Sequence, residues 1–580
     1  MDTVRHLQII DLTVIAGYFT IIILVGSWFG RYVRQARDYF TAGANIPWWL
    51  AAVSFWMATF SSLGFVTYSE LGYKYGITAF TLYFLTIPGM LIGALIFVGR
   101  WRRARQMSPI GFIEARFSPA LKQVFVWTGF PLRLIDNAIR IYATAIFLTA
   151  AMPDGFVTMT GVIWLTGIVT LSFSLVGGQW SVIVTDFVQF IVLCLAVCIV
   201  FPLSFGEVGG FSSFVERLPV DFLMVMHPPY DFYQVLTWIV LTFFTFNAGW
   251  AMIQKYNCVS SERDARRVVY AVSAWSVIGP IIFYTPAMIA RILYPELENP
   301  RFSYAVMSLR ILPAGLMGIM ISAMFSATLS TLSNEFTMLS SVLTSDFYAL
   351  KINPAASDMH LVGIGRLSVF IVGMTTTGLA VLLQYVHGMN LFDIMVKAYT
   401  AFAPAIMVPL LAGILFRRVN SRGALLGIVS GFTSGSLLLA LNMILVAVYH
   451  DAFINNETLN YWLNQGWSST SIIINFVVSI AGVWAGSAKL QVSDDERERT
   501  NEFFTLLGKP YSPSQLTHSD SPFPVIGIVV AFMGICFFIV SLLVTVFYPG
   551  ERNSILNYIS AAVLLITGLL IFILSRKKRA

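Results

Sequence analysis

Apolar runs of roughly twenty residues recur along the whole chain, separated by short polar segments. A run of that length crosses the ~30 Å hydrocarbon core of a bilayer as an α-helix. About fifteen spans follow from this criterion. They cover 10–30, 47–72, 77–99, 121–151, 156–176, 180–204, 234–256, 266–293 and 311–345, then 361–386, 392–416, 421–449, 467–487, 524–547 and 555–575. The pattern predicts an all-α, polytopic membrane protein. The longest polar stretch, 488–523, has the mixed charge and Ser/Pro content of a cytoplasmic linker with a short helix. Nothing else outside the spans is large enough to fold alone, so function must reside between the helices.

Composition agrees: 57% of the 580 residues are hydrophobic and 11% charged, against about a quarter charged in soluble domains. The net charge of +7 is gathered in short loops, "GRWRRARQ", "SSERDARR", "LFRRVNSR" and the final "SRKKRA". With the N-terminus outside, all four fall on the cytoplasmic side, as the positive-inside rule requires, and the Lys/Arg-poor loops 205–233 and 450–466 fall outside. The basic residues therefore report topology in a cell membrane and not a nucleic-acid partner. The start, "MDTVRHLQIID", lacks the succession of a cleaved signal, so the first span is expected to be retained. The cysteines (194, 198, 258 and 536) form no CxxC pair and the histidines no HExxH. Without a His-rich or paired-carboxylate cluster at either face, an enzyme is not expected.

Four charges stand inside the spans: Asp186, Arg140, Lys397 and Glu335. Each costs at least about 2.5–3.5 kcal/mol at bilayer depth and needs a reason. Arg133 and Asp136, nearer their helix end, are expected to pair at i, i+3. The ninth span carries "SATLSTLSNEF", in which Ala327, Ser330, Thr331 and Asn334 share one helical face, flanked by Ser326 and Ser333. Two readings fit: small residues that let membrane helices pack, with hydroxyls bonding back to the i−4 carbonyl, or the oxygen ligands of a bare monovalent cation. The second reading needs further oxygens from a helix that is locally unwound. "FWMATFSSLGF" in the second span, with Thr59, Ser61, Ser62 and Gly64, is the candidate for that break. Five spans within 47–204 and five within 234–416 would enter the membrane from opposite sides, a recurring transporter plan.

Several stretches together resemble the sodium:solute symporter family over roughly residues 10–450: "YFTAGANIPWW", "GFIEARFSP", "GGQWSVIVTDFVQ", "IQKYNCVSSERDARR", "FSATLSTLSNEFTMLSSVLTSDFY" and "YTAFAPAIMVPLLAGILFRRVNSRGALLG". The resemblance implies a LeuT-like bundle: a helix and loop over 1–46, inverted five-helix repeats at 47–204 and 234–416 joined by the outside loop 205–233, peripheral helices in 417–487, and C-terminal helices in 524–580 after the 488–523 linker. It implies Na+-coupled symport by alternating access, in preference to proton coupling or a sensor that kept the transporter fold. Na+ would be held by the Ser330 and Thr331 hydroxyls and the backbone oxygens of Ala327, Met57 and Phe60. A second Na+ would involve Asp186, Ser330, Ser333 and Asn334, the last standing where relatives carry serine. The solute would meet Thr59, Ser61, Ser62, Tyr83, Arg140, Trp250 and Lys397, with Tyr83, Phe84 and Trp250 as gate or stacking residues. Two cations near the midplane, and a missing galactose pattern, point to a carboxylate or sugar acid. The expected partners are thus Na+, a small solute and lipid.

Overall fold

The computed structural model describes residues 7–577 apart from 30–45, 60–61, 107–108, 152–156, 229, 298, 386–390, 450–455, 489–491, 512–522 and 551–552. Helix α1 (Ile9–Phe29) leads into a broken pair, α2 (Trp48–Thr59) and α3 (Ser62–Tyr75). There follow α4 (Thr78–Ile96), α5 (Pro119–Ala151), α6 (Met159–Leu175) and α7 (Val182–Glu207). A second broken pair, α8 (Phe232–Ala248) and α9 (Trp250–Cys258), precedes α10 (Glu262–Leu293), α11 (Leu316–Ser341), α12 (Asp358–Leu383) and α13 (Leu391–Leu415). The periphery holds α14 (Ser421–Val448), α15 (Trp467–Ser487), the short polar helix α16 (Asp494–Gly508) within the 488–523 segment, α17 (Phe523–Phe547) and α18 (Ile555–Lys577). With each broken pair counted as one span and the polar α16 left out, the described residues give fifteen helices, of which eleven, or twelve with the first broken pair, are long and apolar enough to cross a membrane. The sequence signalled the first break only through small and hydroxylated residues, and it is a 65° bend. The second break, at Gly249, was not anticipated; a Cβ there would lie 2.7 Å from the Thr245 carbonyl.

Helix α11 is the central post, with every residue from Leu316 to Ser340 buried. Its start is capped from another helix. Asp11 of α1, itself buried, accepts hydrogen bonds from the backbone N–H groups of Gly315 (2.7 Å) and Gly318 (3.0 Å). A carboxylate at a helix N-terminus satisfies donors that have no intrahelical partner and complements the helix dipole. The break in α8/α9 is braced from α4. Asn247 Nδ2 donates to Gly89 O at 3.0 Å, and Trp101 Nε1 donates to Asn247 O at 3.1 Å. This approach needs Gly93, where a Cβ would fall 1.7 Å from Asn247 Oδ1.

The basic loops meet on one face. Arg103 pairs with Glu262 at 2.7 Å and donates to Leu507 O of α16 at 3.3 Å. Arg116, fully buried, donates to the carbonyls of Gly413 (3.1 Å) and Val419 (2.6 Å) beyond the end of α13 and to Thr500 Oγ1 of α16 (2.9 Å). Burial pulls its guanidinium down to about 10, so it stays charged at neutral pH and closes the α13 C-terminus as a cation should. On the same face, Ile46 N–H donates to Cys258 O at 2.9 Å, joining the start of α2 to the end of α9. At the opposite ends of the helices, the 205–233 loop latches onto α4: Ile77 N–H donates to Phe222 O at 2.9 Å and Thr78 Oγ1 to Met224 O at 3.0 Å.

Two outcomes follow from these contacts. Gly93→Ala displaces the Asn247 side chain and leaves a buried amide short of a partner, a loss of about 1–3 kcal/mol. The thermal midpoint of the purified protein should fall, whereas Gly17→Ala, which meets nothing within 4 Å, should not lower it. In the latch, His227 Nε2–H donates to Asp221 Oδ2 at 3.0 Å. Partial burial disfavours the charged ring, but this bond and the Pro228 carbonyl outweigh it and raise the His227 pKa, while the His227 bond lowers that of Asp221. The pair therefore strengthens the latch above the ordinary carboxylate range and loses that contribution as pH rises through the raised imidazole value. After correction for the intrinsic base-catalysed rate, the hydrogen-exchange protection of 220–228 should be greater at pH 6 than at pH 8, and Asp221→Asn should remove that difference.

Candidate functional site

Helix α2 ends in the protein interior, and the last four carbonyls of a helix have no intrahelical donor. Two of these find side chains. Thr59 Oγ1 donates to Trp56 O at 2.7 Å, and Thr331 Oγ1 of α11 lies 3.4 Å from Ala58 O. The same Thr331 hydroxyl is 3.0 Å from Ala327 O, one turn back. Met57, fully buried, belongs to the same terminal turn of α2. Ser330 Oγ is buried beside them and completes no hydrogen bond. Met57, Ala327, Ser330 and Thr331 are thus brought to one junction. Phe60 and Ser61, and the side chain of Ser62, lie outside the described residues. Thr59 is turned back onto its own helix.

Asp186 of α7 stands on the other flank of Ser330, wholly buried. Ser54 Oγ donates to Asp186 Oδ2. Ser330 Oγ faces the carboxylate, although neither it nor Asp186 Oδ1 completes a hydrogen bond. Lys255 of α9, also wholly buried, donates from Nζ to Asn334 Oδ1 at 2.8 Å and interacts electrostatically with Asp186. Asn334 Nδ2 and Ser333 Oγ both donate to Ser330 O, at 2.8 and 3.0 Å. Sequence reasoning gathered Asp186, Ser330, Ser333 and Asn334 but passed over Lys255 and Ser54. The signal for Lys255 was present, since a lysine within an apolar span carries the same cost as the four charges singled out.

Three further polar groups of α11 meet neighbouring helices, whereas Ser322, Ser340 and Ser341 bond back to carbonyls of their own helix. Ser326 Oγ lies 2.7 Å from the Tyr18 hydroxyl of α1, and Thr144 Oγ1 of α5 donates to Thr328 Oγ1 at 3.1 Å. Glu335 takes a salt bridge of 2.6 Å from Arg133 of α5. The expected Arg133–Asp136 pair is therefore corrected: Arg133 reaches across to α11, and Asp136 pairs instead with Arg140 one turn on, at 3.1 Å. The reason is geometric, because i, i+4 partners lie on the same face as well as i, i+3 ones do, and Glu335 offers Arg133 a buried partner that its own helix does not.

Arg133 also lies over the Trp250 ring at 4.2 Å, and Trp250 stacks on Phe125 at 5.6 Å. Next to them is a pocket of about 80 Å3 between α5, the start of α9 and α13. Arg133, Asp136, Trp250 and Tyr399 supply its polar and aromatic lining. The Tyr399 hydroxyl points to Asp136 Oδ2 at 3.4 Å. Arg140 thus stands beside this cavity through Asp136, and Trp250 lines it. Lys397 is on α13 close to Tyr399, but its side chain lies outside the described residues. Tyr83 belongs elsewhere, in an aromatic cluster with Tyr68 (5.3 Å) and Tyr284 (6.1 Å).

Comparison with known proteins supports the same picture. The sodium:solute symporter family profile matches residues 39–431. The sodium/glucose cotransporter 2 of Rattus norvegicus is 25% identical over 477 residues, covering 73% of this chain and 70% of the relative. The sodium/glucose cotransporter of Vibrio parahaemolyticus is 24% identical over 471 residues, covering 74% of this chain and 85% of the relative. Among solved structures, a Na+-coupled sialic acid symporter in a substrate-bound outward-open state superposes with a TM-score of 0.66 at 20% identity, covering 83% of this chain and 98% of that one. The fold is the LeuT-like bundle of inverted five-helix repeats, and Na+ is the coupling ion of a secondary transporter. The chain belongs to the sodium:solute symporter family.

Proposed function

We propose that Na+ binds at the junction of α2 and α11 and that its binding drives uptake of a small hydroxylated, acidic solute, of the sugar-acid class, by alternating access. The observation that carries the Na+ site is the oxygen arrangement around Thr331. Its hydroxyl is 3.0 Å from Ala327 O and 3.4 Å from Ala58 O, and Ser330 Oγ beside it completes no hydrogen bond. Oxygens that share a hard cation at 2.3–2.6 Å, at right angles, lie about 3.3–3.7 Å apart. A buried hydroxyl that completes no hydrogen bond, beside carbonyls at a helix end, is a set that a small bare cation would satisfy. The ligands are the hydroxyls of Ser330 and Thr331, the Ala327 carbonyl, and carbonyls at the broken end of α2, assigned to Met57 and Phe60.

The two repeats, 47–204 and 234–416, each open on a broken helix, which supports a solute site between the breaks. The cavity offers a carboxylate and a phenol for hydroxyls and the Trp250 ring for an apolar ring face. Arg140 and Lys397 are assigned to the acidic group, Thr59, Ser61 and Ser62 to the path toward it, and Tyr83, in its cluster with Tyr68 and Tyr284, to a gate apart from the cavity. The meeting of the basic loops on one face supports a cytoplasmic C-terminus and an outside N-terminus in the cell membrane.

The coupling follows from linkage. Na+ joins α2 to α11 and so favours the conformation in which the solute cavity is formed. When α2 moves away, the shell loses its backbone oxygens and Na+ departs into a sodium-poor cytoplasm. Solute must tighten Na+ by the same factor by which Na+ tightens solute.

Converting Ser330 and Thr331 together to Ala removes both side-chain ligands. Each loss is expected to cost about tenfold or more in apparent Na+ affinity, since bonds to charged groups are worth about 1.5–3 kcal/mol. Radioactive Na+ binding and gradient-driven uptake in proteoliposomes should both collapse; retention of sodium-dependent accumulation would refute the site. For the solute, a thermal-shift screen of sugar acids, neutral sugars and amino acids should give a ligand that acts only with Na+ present. Arg140→Gln and Lys397→Met should then abolish uptake of the acidic ligand while sparing Na+ binding. Uptake that persists in both would replace the acid by a neutral polyol.

A further inference from the structure

Ser54, Asp186, Ser330, Ser333 and Asn334 form a second oxygen-rich cluster on the flank of Ser330 away from Thr331, each at most 1% exposed. The cluster carries one negative charge. At bilayer depth an uncompensated carboxylate is strongly unfavourable, so the set calls for one monovalent cation. The structure supplies that cation from the chain itself. Lys255 Nζ sits 2.8 Å from Asn334 Oδ1, is wholly buried, and interacts electrostatically with Asp186.

We propose that the Lys255 ammonium is a built-in counter-cation that holds the place a second Na+ would take, so that this transporter binds one Na+ per cycle. The inference rests on the reading that the first Na+ sits at Ser330 and Thr331. An ammonium is a donor only and needs acceptors on every proton. Asn334 is set to provide one: its Nδ2 donates to Ser330 O at 2.8 Å, which turns Oδ1 toward Lys255. A serine at 334 would reach one bond less far and offer no such fixed acceptor, so asparagine and lysine form a matched pair. A sodium ion in this cluster would meet the ammonium at close range, where like charges repel in a poorly screened interior.

Lys255 also differs from Na+ in how it joins helices. It belongs to α9, just past the break at Gly249, and ties that half-helix to α11 by a link that cannot dissociate into either solution. The link between α2 and α11, by contrast, depends on an exchangeable ion. Lys255 thus makes one of the two half-helix contacts on α11 permanent and leaves a single one under sodium control.

Radioactive Na+ binding to the purified protein, measured by scintillation proximity, tests this without knowledge of the solute. Wild type should bind one Na+ per chain with a Hill coefficient of one, and Lys255→Arg should keep both values. Lys255→Met combined with Asn334→Ser empties the cluster of its internal cation and should bind two. Two Na+ per wild-type chain, or a double variant that folds and still binds one with unchanged affinity, would overturn the inference while leaving the first site intact. If the double variant does not fold, the wild-type value decides alone. Binding of none by wild type would overturn both this inference and the first site, whereas loss confined to the Ser330→Ala/Thr331→Ala variant supports the first.

Discussion

A helix that stops inside a membrane leaves carbonyls with no water to receive them, and this constraint organises the whole core. Helix α2 stops at Thr59, and α11 is the element that answers it. A helix buried on every face has no solvent side on which to place polar groups. Each must therefore be matched by a neighbour: Ser326 by Tyr18, Thr328 by Thr144, Thr331 by Ala58 O, Asn334 by Lys255 and Glu335 by Arg133. Among the described residues of α11, the hydroxyls of Ser330 and Thr337 complete no hydrogen bond, and Ser330 is the one that stands between the end of α2 and Asp186 of α7.

The charges of the core follow the same logic. Arg133–Glu335, Arg140–Asp136 and Lys255–Asp186 offset one another, so these six charges sum to zero. Buried pairs contribute little net stability, because desolvation consumes most of the attraction, but breaking one is costly. Their effect here is to fix which helix faces which. Arg133 sets α5 against α11 and places the Trp250 ring beneath its guanidinium, so the same residue shapes the cavity wall.

Other contacts tie the ends of the helices together. Asp11 secures the start of α11 to α1, and Arg116 fastens the end of α13 to α16. The bond from Ile46 to the Cys258 carbonyl closes α2 onto α9 on the face where the basic loops gather. This is a backbone contact of one bond, and it is the kind of clasp that can open when α2 swings, whereas the buried caps cannot open without exposing charge.

Sequence by itself determined the all-α, many-span character of the chain and the hydroxyl-rich character of α11, and it marked the basic loops that gather on one face. These depend on length, apolar content and local periodicity, which hydrocarbon thickness turns directly into structure. The partners of the polar groups were another matter. Arg133 finds Glu335 across 202 residues and Lys255 finds Asn334 across 79, while local spacing offered Asp136 as a closer choice. The kink at Gly249 gave no clear local signal either, because it is a close approach of backbone and side chains that makes glycine necessary there. Only the tertiary structure decided which oxygens lie together at the end of α2 and which polar and charged groups face one another, since those are choices among distant groups of similar chemistry, made by packing.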